Sequence, residues 1–348
     1  MELSGVTRPV VAPVRVDPSG ASGPTRKVAR GRRWRWTSKG LVVPAEVDGA
    51  LLDQRVVEAA AVLPDDWGGV TGWAGLGWMG GRWFDGMPWG GGPGRPVVLA
   101  IGGNRAIRPQ PSYAILTTEE RLAPHDLITV DGVRLTTATR SVAFEMRYAR
   151  SLREAVTTLD MACFNDLVSI DEVAAYAENL NGWTGIPQCR EALALADENV
   201  WSPQESEMGL EWELDGGFPR PLHNQPLFDL DGRPLGTPDL LDPVNGVIGE
   251  YDGGLHLAGA QRARDLVREE GFRSHGLEYV VKVAADRRDP AAYLRRLRRS
   301  YERAAHIPSS RRRWTVEPPS GWRDTTTVAA RRALDDYWRE RLLAHRTA

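Results

Sequence analysis

"GTPDLLDPVNGVIGEYDGGLH", residues 236–256, decides how the C-terminal half of this chain is read. Side chains two apart on a strand share a face. If 246–252 is a strand, Glu250 and Asp252 project together, while Val247, Gly249 and Tyr251 face the other way. Asp239, in the Pro238-Asp239 pair of the adjoining segment, reaches the same end of the sheet. Three carboxylates on one face repel each other. A divalent cation relieves that repulsion, and carboxylate oxygens suit Mg²⁺ or Mn²⁺. His256, after a Gly-Gly bend, is a general acid/base or a further ligand. A plainer reading also fits: Asp252-Gly253 is a turn pair and Asp239 caps a turn before Pro243.

Outward from this stretch the pattern stays regular. Upstream, "SPQESEMGLEWELDGG" at 202–217 starts a helix: Ser202 caps, Pro203 takes the first helical position and Glu205 completes a capping box. Two strands follow around the Asp231-Gly232 turn. Downstream come a helix at about 258–275, an apolar strand at 277–285 and a basic helix, "DPAAYLRRLRRSYERAAHI". That order predicts a compact α/β domain over 201–306 with a mixed central sheet. Arg295, Arg298 and Arg299 on the basic helix are candidate phosphate contacts, and a solvated helix face explains them equally well. A long amphipathic helix over 322–348 closes the chain, for core docking or self-association as a dimer. His223 and His275 read as surface or packing residues.

The N-terminal half starts with residues 1–25, rich in Pro, Gly and Ser without a period, which reads as a disordered arm. In "TRKVARGRRWRWTSKGLVVPAEV" no acid interrupts the chain between Asp17 and Glu46. Arg30, Arg32, Arg33 and Arg35 suit phosphates, and Trp34 and Trp36 suit stacking on bases. The same alternation suits a strand with Arg33 and Arg35 on one face and the tryptophans on the other. Residues 53–63 read as a helix. The Gly- and Trp-crowded run at 68–94 reads as tight backbone packing against indoles, with a short buried helix at 71–78. Strands fill 96–137, with Val130-Asp131-Gly132-Val133 as a hairpin turn. Four helices occupy about 137–200. This module, 26–200, is expected to be a small α/β and helical unit.

The 348 residues suffice for two or three modest domains. A net charge of -2 gives the whole chain no bulk attraction to nucleic acid, so any such affinity rests on local patches. Two cysteines, Cys163 and Cys189, are too few for a disulfide framework or a zinc ribbon and read as buried thiols. No stretch approaches the ~20 apolar residues of a membrane span, and the N-terminus lacks the apolar core of a signal peptide. A cytoplasmic setting is expected.

Two resemblances add to these readings. Pro238-Asp239…Glu250-Tyr251-Asp252 resembles the Pro-Asp…(Asp/Glu)-x-Lys nuclease core. More narrowly, 202–290 is similar to the domain related to very-short-patch-repair endonucleases, through "SPQES", "TPDLLDP", "GEYDGGLH" and "RDLVREEGFRSHGLEYVVKV". The resemblance implies a restriction-endonuclease-like fold and a Mg²⁺-dependent DNA endonuclease, or a DNA-binding protein derived from one. It implies Asp239 and Glu250 as metal ligands, Asp252 and His256 at the site, and Glu205 as the completing acid. Asp252 stands where the general motif has a lysine. Upstream, "RWRWTSKGLVVPAE", "DLITVDGVRLTTATRSVAFEMR" and "SLREAVTTLDMA" resemble type IV toxin–antitoxin AbiEi-type antitoxins. This second resemblance implies a non-catalytic transcriptional regulator with a cognate toxin, in which the acidic cluster is a relic.

Overall fold

The computed structural model describes residues 3, 5–89, 91–104, 106–253 and 259–347. The chain forms two compact units, Met1–Thr158 with Asp171–Leu193, and Leu159–Ile170 with Ala194–Ala348. The fold is α/β with mixed sheets. Among the described residues no helix is long and apolar enough to cross a membrane.

In the first unit, β1 (Val14–Arg15), α1 (Arg26–Ala29), β2 (Trp34–Ser38) and β3 (Leu41–Pro44) come first, with β3 paired antiparallel to both other strands. The expected disordered arm is instead tied down. Thr7 donates to Asp131 Oδ1 from its amide and its hydroxyl, at 2.9 and 2.8 Å. Arg8 pairs with Asp53 at 2.8 Å, and the Val11 backbone exchanges two hydrogen bonds with Gln54. Polar groups do this docking, so no apolar period announces it.

A five-stranded sheet follows from α2 (Leu52–Ala60), β4 (Gly69–Thr71), α3 (Trp73–Trp78), β5 (Val97–Ala100), β6 (Ile115–Thr118), β7 (Leu127–Val130) and β8 (Val133–Thr136). Its order is β6-β5-β4-β8-β7, with β5–β6 and β4–β8 parallel. Asp131 and Gly132 both have positive φ, 43° and 71°, which a two-residue hairpin turn of this hand needs. Trp73 and Trp78 are fully buried, and their indole N–H groups donate to the carbonyls of Pro96 and Val130. A Cβ at Gly77 would collide with the Phe84 carbonyl, so the glycines let α3 lie flush in this layer. The helices α4 (Ala138–Tyr148), α5 (Leu152–Phe164), α6 (Ile170–Glu178) and α7 (Ile186–Leu195) come next.

The second unit contains α8 (Pro203–Leu210), which continues into a π turn at Glu211–Asp215. Strands β9 (Leu222–His223), β10 (Leu227–Asp229), β11 (Pro234–Gly236), β12 (Leu240–Asp242) and β13 (Val247–Asp252) follow. Then come α9 (Gly259–Ser274), β14 (Glu278–Val283), α10 (Pro290–Ala304) and β15 (Trp314–Thr315). The main sheet runs β14-β13-β12-β9. Only β13 and β14 are parallel in it. A small antiparallel sheet runs β11-β10-β15.

The alternation of β12 and β13 splits the core of this unit in two. Leu240, Val247 and Val280 pack with Met208, Trp212, Tyr293 and Leu297 from α8, the π turn and α10. On the other face Leu241 and Ile248 pack with Phe272 of α9 and Leu277. The long C-terminal helix expected over 322–348 is broken into α11 (Val328–Arg332), α12 (Asp336–Leu342) and α13 (Ala344–Thr347). Asp335 caps α12 by accepting from the Trp338 amide and so starts a new helix. The fully buried Arg331 ties the segment down, to Asp166 at 2.6 Å and to the Cys163 carbonyl at 2.7 Å. The second unit therefore runs past 306 to the chain's end and also takes in Leu159–Ile170. Both cysteines are buried free thiols.

Candidate functional site

β12 and β13 pair antiparallel with Leu240 across from Gly249 and Leu241 across from Ile248. Continuing that register by one residue sets Asp239 across from Glu250, on the α9 face of the sheet. The Tyr251 amide donates to Asp239 Oδ2 at 2.7 Å and fixes the carboxylate at the strand end. Burial pushes the Asp239 carboxyl up to about 7, and the nearby Glu205 carboxylate pushes the same way. The Tyr251 amide, Arg268 and His223 oppose this.

Glu205 performs its capping task and also joins this group. Its amide donates to Ser202 Oγ, and its carboxylate accepts from the Trp201 amide at 2.9 Å. The same oxygen accepts from Asn224 Nδ2 at 2.7 Å. Asn224 adopts a left-handed φ of 45°, and its amide donates to the Asp239 carbonyl. Arg268, on α9, lies 2.9 Å from Glu250 Oε1 and donates to the Thr237 carbonyl. Asp252 ends β13, half-buried on the Glu250 side of the strand. His256 lies outside the described residues.

His223 belongs to this group rather than to the surface. It is buried, and its Nδ1 lies 3.3 Å from Asp197 Oδ2. Burial works against its protonation, but Asp197, Asp160 and Glu205 together raise its pKa. Asp160, wholly enclosed, is pushed up to about 7 by burial, although Ser206 Oγ and the Asp197 amide donate to it. Burial opposes ionisation of Asp197 too, but the bond from His223 prevails and holds it below the usual carboxylate range. His223 ends the short strand β9, Asn224 follows it and Arg268 lies on α9, so no spacing rule links them to the acidic strand.

Lys282 does not reach the carboxylates. The parallel register pairs it with Tyr251, which puts it on the face opposite Glu250. There it is buried against Glu211 Oε1 at 2.8 Å, under the π turn. Among the described residues no group of three or more His, Cys, Asp or Glu side chains is spaced to hold a metal ion. Two hard carboxylates with oxygen donors only, one carrying a proton near neutrality, remain a fitting partial set for Mg²⁺ or Mn²⁺.

The basic candidates separate. Arg30, Arg32 and Arg33 are exposed, and Trp34 and Trp36 are half-buried on β2. Arg35 is not a free phosphate contact: both its terminal nitrogens are held by Glu58, at 3.0 and 2.6 Å. On α10, Tyr293, Leu297, Ser300 and Ala304 face the core, and Arg295, Arg298 and Arg299 face solvent. Arg295 is paired with Asp289 at 3.1 Å. Comparison of the chain with protein-family models, curated proteins and solved structures finds no match.

Proposed function

We propose that the second unit is a metal-dependent DNA endonuclease of the Pro-Asp…Glu type. One observation carries this reading: the β12–β13 register sets Asp239 across from Glu250, with Glu205 near enough to raise Asp239. Asp239 and Glu250 would hold the cation, which when bound supplies Lewis-acid activation of water and of a scissile phosphate. Asp239 would have to release its proton to hold that cation. Glu205 is held in place by Ser202, Trp201 and Asn224, and so keeps a fixed negative charge behind the pair. Arg268, beside Glu250, is the positive charge this chain offers an anionic phosphate in place of the motif lysine.

Incubation of the full chain with supercoiled plasmid is the test. Nicking should require Mg²⁺ or Mn²⁺ and vanish in Asp239→Ala and Glu250→Gln. Cleavage that persists in both variants, or none at all in the native protein with either metal, removes the endonuclease reading.

The position of Lys282 favours a second reading. With the lysine on the far face and Asp252 in its motif place, the unit is a nuclease-derived DNA-binding module in an AbiEi-like regulator. DNA binding without cleavage, unaffected by metal, is its signature.

A further inference from the structure

Asn224 sits where the stretch leading into α8, the end of β9 and the start of β12 meet. Its main-chain amide donates to the Asp239 carbonyl at 3.0 Å. Its Nδ2 donates to Glu205 Oε2 at 2.7 Å and to the Asn199 carbonyl at 2.8 Å. Asn199 returns the bond, with its own Nδ2 on the Asn224 carbonyl at 2.9 Å. Asn224 is 1% exposed, so water does not compete for these bonds.

Two demands fall on this position. The chain turns there with a φ of 45°, a left-handed conformation that side chains rarely adopt and that asparagine tolerates better than most. The Glu205 carboxylate and the Asn199 carbonyl are both acceptors, so the NH₂ end of the side chain must face them and its oxygen must turn away. That oxygen is buried and has no partner among the described residues. A buried acceptor left without a donor costs stability, and the fold bears that cost to keep the donor end in place. Glycine would accept the turn but bring no side-chain donor. Aspartate would accept the turn but set a second negative charge against Glu205. Asparagine meets both demands.

Glu205 is buried, and its oxygens accept from Ser202 Oγ, the Trp201 amide and Asn224 Nδ2. Ser202 and Trp201 belong to the same stretch of chain and fix the carboxylate to the start of α8. Asn224 is the donor that fixes it to the sheet. Through its main-chain bond the same residue holds the strand end that carries Asp239. The effect of one charge on another falls with their separation, so the Glu205 charge acts on the site only while this spacing is kept.

We propose that Asn224 is a positioning residue of the carboxylate site: its side chain and main chain together set Glu205 against Asp239, and so govern how tightly Asp239 and Glu250 hold a divalent cation. The inference rests on the endonuclease reading, in which that pair is the cation's site.

Calorimetric titration of the full chain with Mn²⁺ tests it in a double-mutant cycle. Asn224→Gly keeps the turn and the bond to the Asp239 carbonyl and removes both side-chain donors. It should weaken Mn²⁺ binding about tenfold. Glu205→Gln should weaken it as well. Adding Asn224→Gly to Glu205→Gln should change the affinity little further, because the charge that Asn224 positions is already gone. Asn224→Ser keeps a single hydroxyl donor and should fall between the native protein and Asn224→Gly; it replaces Asn224→Gly in the cycle if that variant does not melt cooperatively. A residue that only holds the fold together would lower the melting temperature without moving Mn²⁺ affinity, or would give the same loss of affinity in both backgrounds. Either result overturns the proposal and leaves the endonuclease reading in place. No Mn²⁺ binding by the native protein removes both.

Discussion

Asp239 and Asp160 each hold a proton near neutrality because burial makes their charged forms expensive. Between about pH 4 and about pH 7 the folded chain keeps these two protons while the unfolded chain has released them. Stability therefore falls as pH rises through that window. The raised pKa of His223 acts in the same direction, because its contribution is lost as pH climbs through the folded value. Asp197 acts the other way, losing its contribution only as pH falls below the usual carboxylate range. Calorimetry should find the melting temperature highest below about pH 6. Asp239→Asn should flatten the decline and stabilise the protein at about pH 8 by on the order of 2–4 kcal/mol. A melting temperature that climbs steadily toward pH 8 contradicts this assignment.

Lys282 gives the second expectation at this scale. Lys282→Met leaves Glu211 buried without its cation and should cost about 3–5 kcal/mol, whereas adding Glu211→Gln should recover most of the loss. A double variant as unstable as the single one would show that the ion pair is not what Lys282 supplies. Asp239 and Glu250 are legible in the sequence because period-two alternation and one hairpin register fix where a strand carboxylate points. His223 is not, since Asp160, Asp197 and Glu205 come to it from separate segments. Arg35 reads as a phosphate contact from sequence because its partner, Glu58, lies on a helix 23 residues further on.

Strands and hairpins are the most legible elements. Asp131-Gly132 needs two positive φ values, and few residue pairs accept them. The C-terminal segment is less so: its apolar period runs through Asp335, which caps a new helix instead of continuing the old one. The basic helix keeps its period, and α10 turns Tyr293 and Leu297 inward. Its outward arginines carry an expectation for DNA binding. Replacing Arg298 and Arg299 with Gln should weaken affinity for duplex DNA and flatten the logarithmic salt slope by about 2, roughly one for each phosphate no longer neutralised. An unchanged slope in filter-binding or anisotropy titrations would mean that this face is only solvated.

For the whole molecule, an α/β class with mixed sheets follows from the order of strand-like and helix-like segments. The limits of the two units do not. A stretch near the end of the chain joins the second unit through Arg331, a buried arginine that no hydropathy pattern would place inside. Leu159–Ile170 joins that unit across a long sequence gap for the same reason: single polar partners, Asp160 and Asp166, hold it there.

The carboxylate pair is tested most directly by titrating the full chain with Mn²⁺ at pH 7 by calorimetry, in two buffers of different ionisation enthalpy. A cation held by Asp239 and Glu250 must displace the proton that Asp239 carries near its pKa of about 7. The account predicts saturable binding of one Mn²⁺, heats that differ between the buffers by roughly half a proton's ionisation enthalpy, and loss of binding in Glu250→Gln. Binding that Glu250→Gln leaves intact, or no binding at millimolar Mn²⁺, would contradict it.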